Sequence, residues 1–322
     1  MRGFWRGRKP WLGSIAARSS RLWFIVLSAS FLFAGCPRGV ETTAPPLPPA
    51  TVETANDPLR EPAEIHLRHV RQLSFGGRAF ALAFQDGGRR IAFAVASLRA
   101  DAGPALAVRL LDVATGAALP LPATTPAANR TWPLALAGGC ARDPAGDHAC
   151  PLIEGGGSRL WLWPAGAASP HPLGTGAGED EDPAFSPDGK LLAWSSTRGA
   201  TPAAPPAARA SRIEVLPALL FGAAPAPNAT AVGPDGAADR QPVFFPGGER
   251  LLFSSDADDA AGRDFDIFRV DADGQDFERV TFAPGADMAP TLSPDGKKIA
   301  WTSERNAGAP GEADVLVADW VE

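Results

Sequence analysis

The sequence predicts an all-β fold made of repeated antiparallel units, and three observations predict it. Glycine (34) and proline (33) together make up about a fifth of the 322 residues, and helix interiors tolerate both poorly. Hydrophobic residues make up 45% of the chain, which suffices for a sizeable core. A motif with a Pro-Asp-Gly turn at its centre recurs along the chain. Short strands joined by tight turns are therefore expected, with little helix.

The recurring motif has three clear copies and two weaker ones. The clear copies are PAFSPDGKLLAWSS (183–196), PVFFPGGERLLFSS (242–255) and PTLSPDGKKIAWTS (290–303). The weaker copies are LAFQDGGRRIAFAV (82–95) and CARDPAGDHACPLI (140–153). The aligned glycines are 58, 43, 59 and 48 residues apart. Spacings of this size are typical of propeller blades with loop insertions.

Each copy is expected to form an antiparallel hairpin. In Pro187-Asp188-Gly189 and Pro294-Asp295-Gly296, proline fixes φ at the first central position, aspartate suits the second, and glycine accepts the left-handed φ. The 242–255 copy continues with FDIFRV (265–270) and DFERVTF (276–282), so one unit contains four strands. Third strands elsewhere are VRLLDV (108–113), RLWLW (159–163), RIEVL (212–216) and DVLVAD (314–319).

Four-stranded units that repeat radially predict a β-propeller, because this arrangement protects the sheet edges. Five blades are visible, and six would result if one insertion hides another copy. The sequence stops directly after a third strand, and HLRHVRQLSF (66–75) resembles the fourth strand DFERVTF. We therefore expect the N-terminal strand to complete the last blade. The alternative is that 66–75 continues the preceding linker.

The motif copies resemble the WD40-like Pro-Asp repeats of the TolB-type β-propeller. The resemblance covers roughly residues 66–322 and is most specific in the last two or three units. It implies the propeller fold. TolB carries an N-terminal α/β domain, whereas only a linker precedes the repeats here. The resemblance is therefore to the repeat family, and the partner of TolB is not carried over.

The first 36 residues resemble a bacterial lipoprotein signal. Residues 1–21 contain six basic and no acidic residues, and the apolar run 22–35 is shorter than the about 20 residues of a membrane span. The run ends in Ala34-Gly35-Cys36, similar to a lipobox, although Phe33 replaces the preferred aliphatic residue. We expect a signal peptide at 1–35 and lipidation at Cys36, or alternatively an uncleaved anchor. Pro37, which replaces the aspartate of an inner-membrane retention signal, slightly favours the outer membrane.

Residues 36–62 are rich in proline and lack periodicity, which predicts an extended tether before a propeller at 63–322. Removal of residues 1–35 takes away six basic residues and changes the net charge from −6 to −12. A chain this acidic disfavours nucleic acid as a partner. The lipid anchor would hold the protein at the membrane.

Cys140 and Cys150 lie symmetrically about Ala145 in the presumed hairpin turn of the second unit. Residues at equal distances from an antiparallel turn face each other, with Cα atoms about 4.5–5.5 Å apart. This separation overlaps disulfide geometry, and an exported compartment favours oxidation. We therefore predict a disulfide, the alternative being two reduced and packed thiols.

Three aspartates occupy one repeat position, three residues before the aligned prolines: Asp180, Asp239 and Asp287. After the second strands follow Ser196, Ser255 and Ser303, and then Arg198 and Arg305. One interpretation is that each aspartate accepts hydrogen bonds and locks neighbouring blades together. The other is an acidic rim at the channel that attracts a cation or a basic peptide.

The remaining polar clusters do not predict a metal or a catalytic site. Neither the acidic run 179–182 nor the aspartates of 256–266 have the loop spacing of a calcium site, and solvated loops are expected there. The four histidines are scattered, and no nucleophile elbow, H-E-x-x-H or Walker motif is present. No cofactor is expected.

We therefore expect a lipid-anchored, non-catalytic scaffold that binds a protein or peptide in the cell envelope. The runner-up is an envelope enzyme, a lyase or glycan hydrolase, that uses the acidic site at the propeller channel. A third class is a structural subunit of a larger envelope assembly.

Overall fold

The computed structural model describes residues 57–96, 106–121, 139–154, 157–173, 178–199, 210–218, 229–259 and 261–322. These residues lie in the compact unit Arg38–Glu322. The predicted signal peptide, Cys36 and the expected tether up to residue 56 lie outside the described residues. Within the described ranges, no helix has the length and apolarity required to cross a membrane.

The described strands form five four-stranded antiparallel sheets, so the predicted all-β propeller is confirmed with five blades. Blade 1 contains β2 (Arg78–Gln85), β3 (Arg90–Ala96), β4 (Leu106–Asp112) and β5 (Ala118–Leu119), with a 3-10 turn at Asp86–Gly88. Blade 2 contains β6 (Ala141–Arg142), β7 (His148–Glu154), β8 (Gly157–Trp163) and β9 (His171–Pro172). Blade 3 contains β10 (Asp180–Phe185), β11 (Leu191–Ser196), β12 (Arg212–Pro217) and β13 (Thr230–Val232). Blade 4 contains β14 (Arg240–Phe244), β15 (Arg250–Ser255), β16 (Asp266–Asp271) and β17 (Glu278–Arg279). Blade 5 contains β18 (Asp287–Leu292), β19 (Lys298–Ser303), β20 (Asp314–Trp320) and β1 (Leu67–Gln72).

The N-terminal strand completes the last blade, as the sequence predicts. β1 pairs antiparallel with β20, with Leu67 opposite Trp320 and Gln72 opposite Leu316. Sheet order in blade 5 is therefore β18-β19-β20-β1, so a strand from the start of the propeller lies at the outer edge of its last sheet. This pairing joins the two ends of the repeat array by backbone hydrogen bonds.

The Pro-Asp-Gly turns form as predicted and also contact one another. Gly189 and Gly296 have φ of +72° and +69°, and each donates its amide to the serine three residues earlier at 2.8 Å. A Cβ at Gly189 would lie 3.1 Å from Asp143 of blade 2, and one at Gly296 would lie 3.0 Å from Pro246 of blade 4. Glycine is thus required both for the turn and for close approach to the preceding blade. We call this end of the propeller the turn end.

The hydrophobic core lies between adjacent blades. Consecutive residues of a strand face opposite neighbours: Leu251 packs in the cluster shared with blade 3, and Leu252 packs in the one shared with blade 5. Trp301 and Leu67, which belong to the cluster shared by blades 4 and 5, are fully buried. Burying such a side chain stabilises the fold by about 1.5–3 kcal/mol, so blade-to-blade packing is a main source of stability.

A β-bulge interrupts the first strand of four blades. The residues that adopt a left-handed φ of +51° to +55° at these bulges are Ala81, Asp182, Gln241 and Ala289. The Gln241 side chain accepts the amide of Ala289 at 2.9 Å, and Asp182 accepts the amide of Gln241. The bulges therefore carry hydrogen bonds from one blade to the next. Only Asp182 among these four is of a residue type enriched at positive φ, so residue type did not mark the bulges in the sequence.

Candidate functional site

The predicted aspartates lie together at the end of the propeller opposite the turns, which we call the Asp end. Each one stands at the start of a first strand and beside the serine that ends the second strand. Asp180 is opposite Ser196, and Asp287 is opposite Ser303. All three aspartates are buried, with 1%, 0% and 0% of their surface exposed for Asp180, Asp239 and Asp287. The repeat therefore places buried carboxylates at one end of successive blades.

In blade 3, Asp180 binds its serine, its arginine and the preceding blade. Ser196 Oγ donates to Asp180 Oδ1 at 2.8 Å. Arg198 Nη2 lies 2.5 Å from Asp180 Oδ2, a close ion pair whose angle is not that of a hydrogen bond. The amide of Leu160 in β8 of blade 2 donates to the same oxygen at 3.4 Å. These contacts are those that a locking role requires.

In blade 5, Asp287 lies in a larger network. Trp301 Nε1 donates to Oδ1 at 3.1 Å, and Arg305 Nη2 donates to Oδ2 at 2.5 Å. Arg305 also donates to the fully buried Glu64 through both of its Nη atoms, at 2.7 and 3.2 Å. The Asp287 amide donates to Phe265 of blade 4 at 2.6 Å. One arginine therefore links the last blade to the segment that precedes β1.

In blade 4, Asp239 has its serine but no arginine. Ser255 Oγ donates to Asp239 Oδ1 at 2.6 Å, whereas Oδ2 is buried and has no hydrogen-bond partner in the part of the chain that the structure describes. The residue two positions after Ser255, where blades 3 and 5 have arginine, is Ala257. The backbone of Asp239 is nevertheless held by blade 3, since its carbonyl accepts Ser195 Oγ and Ser211 Oγ, both at 2.8 Å.

Further buried acids surround these three positions. Asp266 and Asp314, at the starts of the third strands of blades 4 and 5, are both 3% exposed. Arg279 Nη2 lies 2.6 Å from Asp266, and Gln72 donates to Asp314 at 2.8 Å. The expectation of solvated loops is therefore wrong for Asp180 in β10, for Asp256 (8% exposed) and for Asp266. The spacing of acidic residues along the sequence does not show which of them become buried against the next blade.

Burial governs the protonation of these acids. It raises the pKa of Asp239 to about 8, a rise that the Ser255 hydrogen bond opposes and the nearby Asp256 charge reinforces. Burial raises the pKa of Asp266 to about 7 against the attraction of Arg279, and the pKa of Asp314 to about 6. Burial also raises the pKa of Asp180 and Asp287, with their arginines opposing it. Of the three repeat-position aspartates, Asp239 is the one that no arginine opposes.

The segment before β1 supplies contacts that the sequence did not indicate. Asp57 accepts the amides of His69 and Val70, both at 2.5 Å. Leu59 packs against the core between blades 4 and 5, and its carbonyl accepts Arg305 Nη1 at 2.7 Å. No copy of the motif contains these residues, so their partners could not be inferred from the repeat.

Cys140 and Cys150 form the predicted disulfide, with Cα atoms 4.2 Å apart. Ala141 pairs with Ala149 and Arg142 with His148, so the cysteines continue the register of the β6–β7 hairpin. Equal distance from the turn, which predicted the bridge, is therefore its structural basis.

Among the described residues, no group of three or more His, Cys, Asp or Glu side chains is arranged to hold a metal ion. The predicted Asp, Ser and Arg residues come together blade by blade at one end of the propeller, while Cys140 and Cys150 lie in blade 2. Cys36 lies outside the described residues.

Comparison with known proteins gives distant structural similarity alone. No protein-family model and no curated protein matches the sequence. Similar solved structures include a putative TolB from Agrobacterium tumefaciens (19% identity, TM-score 0.42, 70% of each chain). TolB from Acinetobacter baumannii is also similar (14% identity, TM-score 0.44), with 81% of this chain spanning 62% of that one. The tricorn protease matches over 70% of this chain and 24% of its own (14% identity, TM-score 0.38). Similarity at these TM-scores does not bear on function, and the fold rests on the sheet topology above.

Proposed function

We propose that the chain is a lipid-anchored, non-catalytic propeller of the cell envelope that binds a protein or peptide partner. The observation that carries the binding role is the buried carboxyl oxygen of Asp239 at the Asp end, which no described residue pairs. A buried polar group without a partner is costly, and such groups are retained mainly at functional positions. A partner that supplies a donor there would gain a contact that the free protein lacks.

Rigidity of the ring supports binding by preorganised loops. The ring is joined by β1, by contacts between successive turns and by hydrogen bonds between bulges. Loops held on such a frame lose little conformational freedom when a partner binds, which lowers the entropic cost of association. The alternative enzyme has no specific contact in its favour, because Asp180 and Asp287 are each engaged by an arginine.

The lipid anchor is proposed from Ala34-Gly35-Cys36 and the short apolar run before it. We expect Cys36→Ser to release the protein from the membrane fraction. The intact mass of the wild-type mature protein should show an acylated N-terminal cysteine. A mature chain that retains residues 1–35 would contradict the anchor, but would leave the binding role open to separate testing.

The binding role can be tested by photo-crosslinking in the native cells. A photoreactive amino acid replaces the exposed Asp258 near the Asp end or, as the matched control, the exposed Lys190 at the turn end. We expect a discrete protein adduct from position 258 and none from position 190. No discrete adduct from position 258, or the same adduct at equal yield from both positions, would contradict the proposal.

A further inference from the structure

The Asp–Ser pair of blade 4 differs from those of blades 3 and 5 in two neighbours. Phe253 replaces Trp194 and Trp301, whose indoles donate to the aspartates, and no arginine follows the serine. In blades 3 and 5, the arginine two residues after the serine brings its Nη2 to 2.5 Å from the aspartate Oδ2. In blade 4 that position is Ala257, whose side chain is a single methyl group. Among the described residues, no group therefore occupies the site on Asp239 Oδ2 that a guanidinium fills in blades 3 and 5.

A glycine lies close to the aspartate site in blade 4 as in blade 3, although at a different position of the repeat. A Cβ at Gly178 would lie 2.5 Å from Arg198 Cγ, so glycine makes room for the arginine there. In blade 4, a Cβ at Gly233 would lie 2.6 Å from Asp239 Oδ2. Blade 4 thus also keeps a glycine beside the site, although it has no arginine of its own. Any larger residue at 233 would cover the oxygen.

The electrostatic surroundings favour a cation. Asp256, 8% exposed, follows Ser255 directly, and its Oδ1 accepts the amide of Ala238 at 2.7 Å. The exposed Asp258 follows and pairs with Arg279 at 3.1 Å. Without an opposing positive charge, burial and Asp256 raise the pKa of Asp239. A guanidinium entering beside the half-buried Ala257 would meet two carboxyl groups at once.

We propose that blade 4 binds an arginine side chain of a partner against Asp239, at the position that Arg198 and Arg305 occupy in the neighbouring blades. The inference deepens the proposed function and rests on it. The guanidinium is favoured because this protein uses the same group twice against the same Asp–Ser pair. Its planar array of donors also suits a carboxylate better than an ammonium does.

The test uses the full-length protein in detergent and two small probes, N-acetyl-arginine amide and its neutral isostere N-acetyl-citrulline amide. We expect the arginine probe to raise the melting temperature and the citrulline probe to leave it unchanged. The shift should be larger at pH 8.5 than at pH 6, because Asp239 must ionise to bind. The groups facing Asp239 are Ser255 and Asp256 from the end of β15, Ser195 and Ser211 from blade 3, and the Gly233 backbone.

Variants at position 257 identify the site. Ala257→Arg should supply the missing guanidinium from within the chain and raise the melting temperature. It should also weaken binding of the arginine probe at least tenfold. Ala257→Gln, similar in length but neutral, should retain more of the response. Asp239→Asn should abolish it. Equal responses to both probes, or a full response in Ala257→Arg, would overturn the inference and leave Asp239 as a neutral structural acid.

Failure of this inference is distinguishable from failure of the proposed function. If the arginine probe has no effect while the cross-link from position 258 persists, the partner binds the Asp end by another group, and the arginine site is wrong. If no cross-link forms, the proposed function fails whatever the probe does.

Discussion

Blades 5 and 2 are fixed by different means. Blade 5 has four strands of which the outermost, β1, is six residues long and comes from the start of the propeller. A buried network of Glu64, Arg305 and Asp287 links the segment before β1 to the blade. In blade 2 the described first strand has two residues, and the Cys140–Cys150 disulfide fixes it to β7. Noncovalent contacts of distant segments thus fix one blade, whereas a local covalent bond fixes the other.

The largest expected effect comes from removing β1. Deleting residues 37–75 removes Leu67, Val70 and Leu73, which are at most 1% exposed. At about 1.5–3 kcal/mol for each buried side chain, the loss is about 5–9 kcal/mol, comparable with the whole stability of many domains. We expect no cooperative thermal transition in this variant by circular dichroism.

Two shorter deletions sharpen this result. Deleting 37–56 should leave the melting temperature nearly unchanged. Deleting 37–62 removes Asp57 and Leu59 as well, and should lower it, because Asp57 accepts two amides of β1 and Leu59 packs on the core. Equal melting temperatures for the 37–62 and 37–75 deletions would contradict the role of β1 in closing the ring.

The next largest effect is expected for Asp287→Ala. The substitution leaves Arg305 buried beside Glu64 alone and removes the acceptor of Trp301 Nε1. Breaking a buried ion pair by removing one partner costs about 3–5 kcal/mol. Denaturant unfolding should show this loss, and the exposed Asp235→Ala should cost less than about 0.5 kcal/mol. An unchanged or raised midpoint for Asp287→Ala would contradict the locking role.

A smaller effect is expected for Cys140→Ala/Cys150→Ala. The bridge spans a sequence separation of 10 residues, for which the loop-entropy model gives about 3 kcal/mol of stabilisation. We expect reduced stability in denaturant unfolding without loss of the fold. Under non-reducing conditions, peptide mapping of the wild type should find the two cysteines linked. Quantitative alkylation of both thiols without reductant would contradict the bridge.

The sequence predicted most of the fold because the repeat itself encodes it. Pro-Asp-Gly turns mark the hairpins at Gly189 and Gly296, and alternation of apolar residues marks the strands. Closure by 66–75 and the disulfide followed from similarity to a fourth strand and from symmetry about a turn. The turns, the strands and the disulfide each depend on residues within one unit, so local patterns suffice for them, whereas closure required the comparison of two distant segments.

The site was predicted less completely, because its partners come from other blades. The sequence aligned Asp180, Asp239 and Asp287 and found Arg198 and Arg305. It did not indicate that Glu64 binds Arg305, that Leu160 of blade 2 binds Asp180, or that Asp266 and Asp314 are buried beside them. Contacts between segments that are distant in sequence leave no periodic pattern. A comparison of the motif copies shows Ala257 where two copies have arginine. The consequence of this difference became clear only from the burial of Asp239 Oδ2 in the structure.

At pH 5 the smallest effect on stability, and the most specific, is expected for Asp239→Asn. The pKa of Asp239 in the folded protein is about 8, whereas an unfolded aspartate titrates near 3.9. Between these values the folded state binds more protons than the unfolded state. The stabilisation that the protonated Asp239 contributes is therefore complete below about pH 4. It is lost as pH rises towards 8, at up to about 1.4 kcal/mol per pH unit.

Asparagine should remove this dependence and keep the acceptor for Ser255. Asp266, with a pKa of about 7, and Asp314, with a pKa of about 6, contribute mainly at lower pH. Asp239 therefore accounts for most of the slope between pH 7 and 8. We expect Asp239→Asn to be near neutral at pH 5, to exceed the wild type in melting temperature at pH 8, and to flatten the slope between them. The same slope in both proteins would show that Asp239 is already ionised, and that a cation or donor within the protein balances it without any partner.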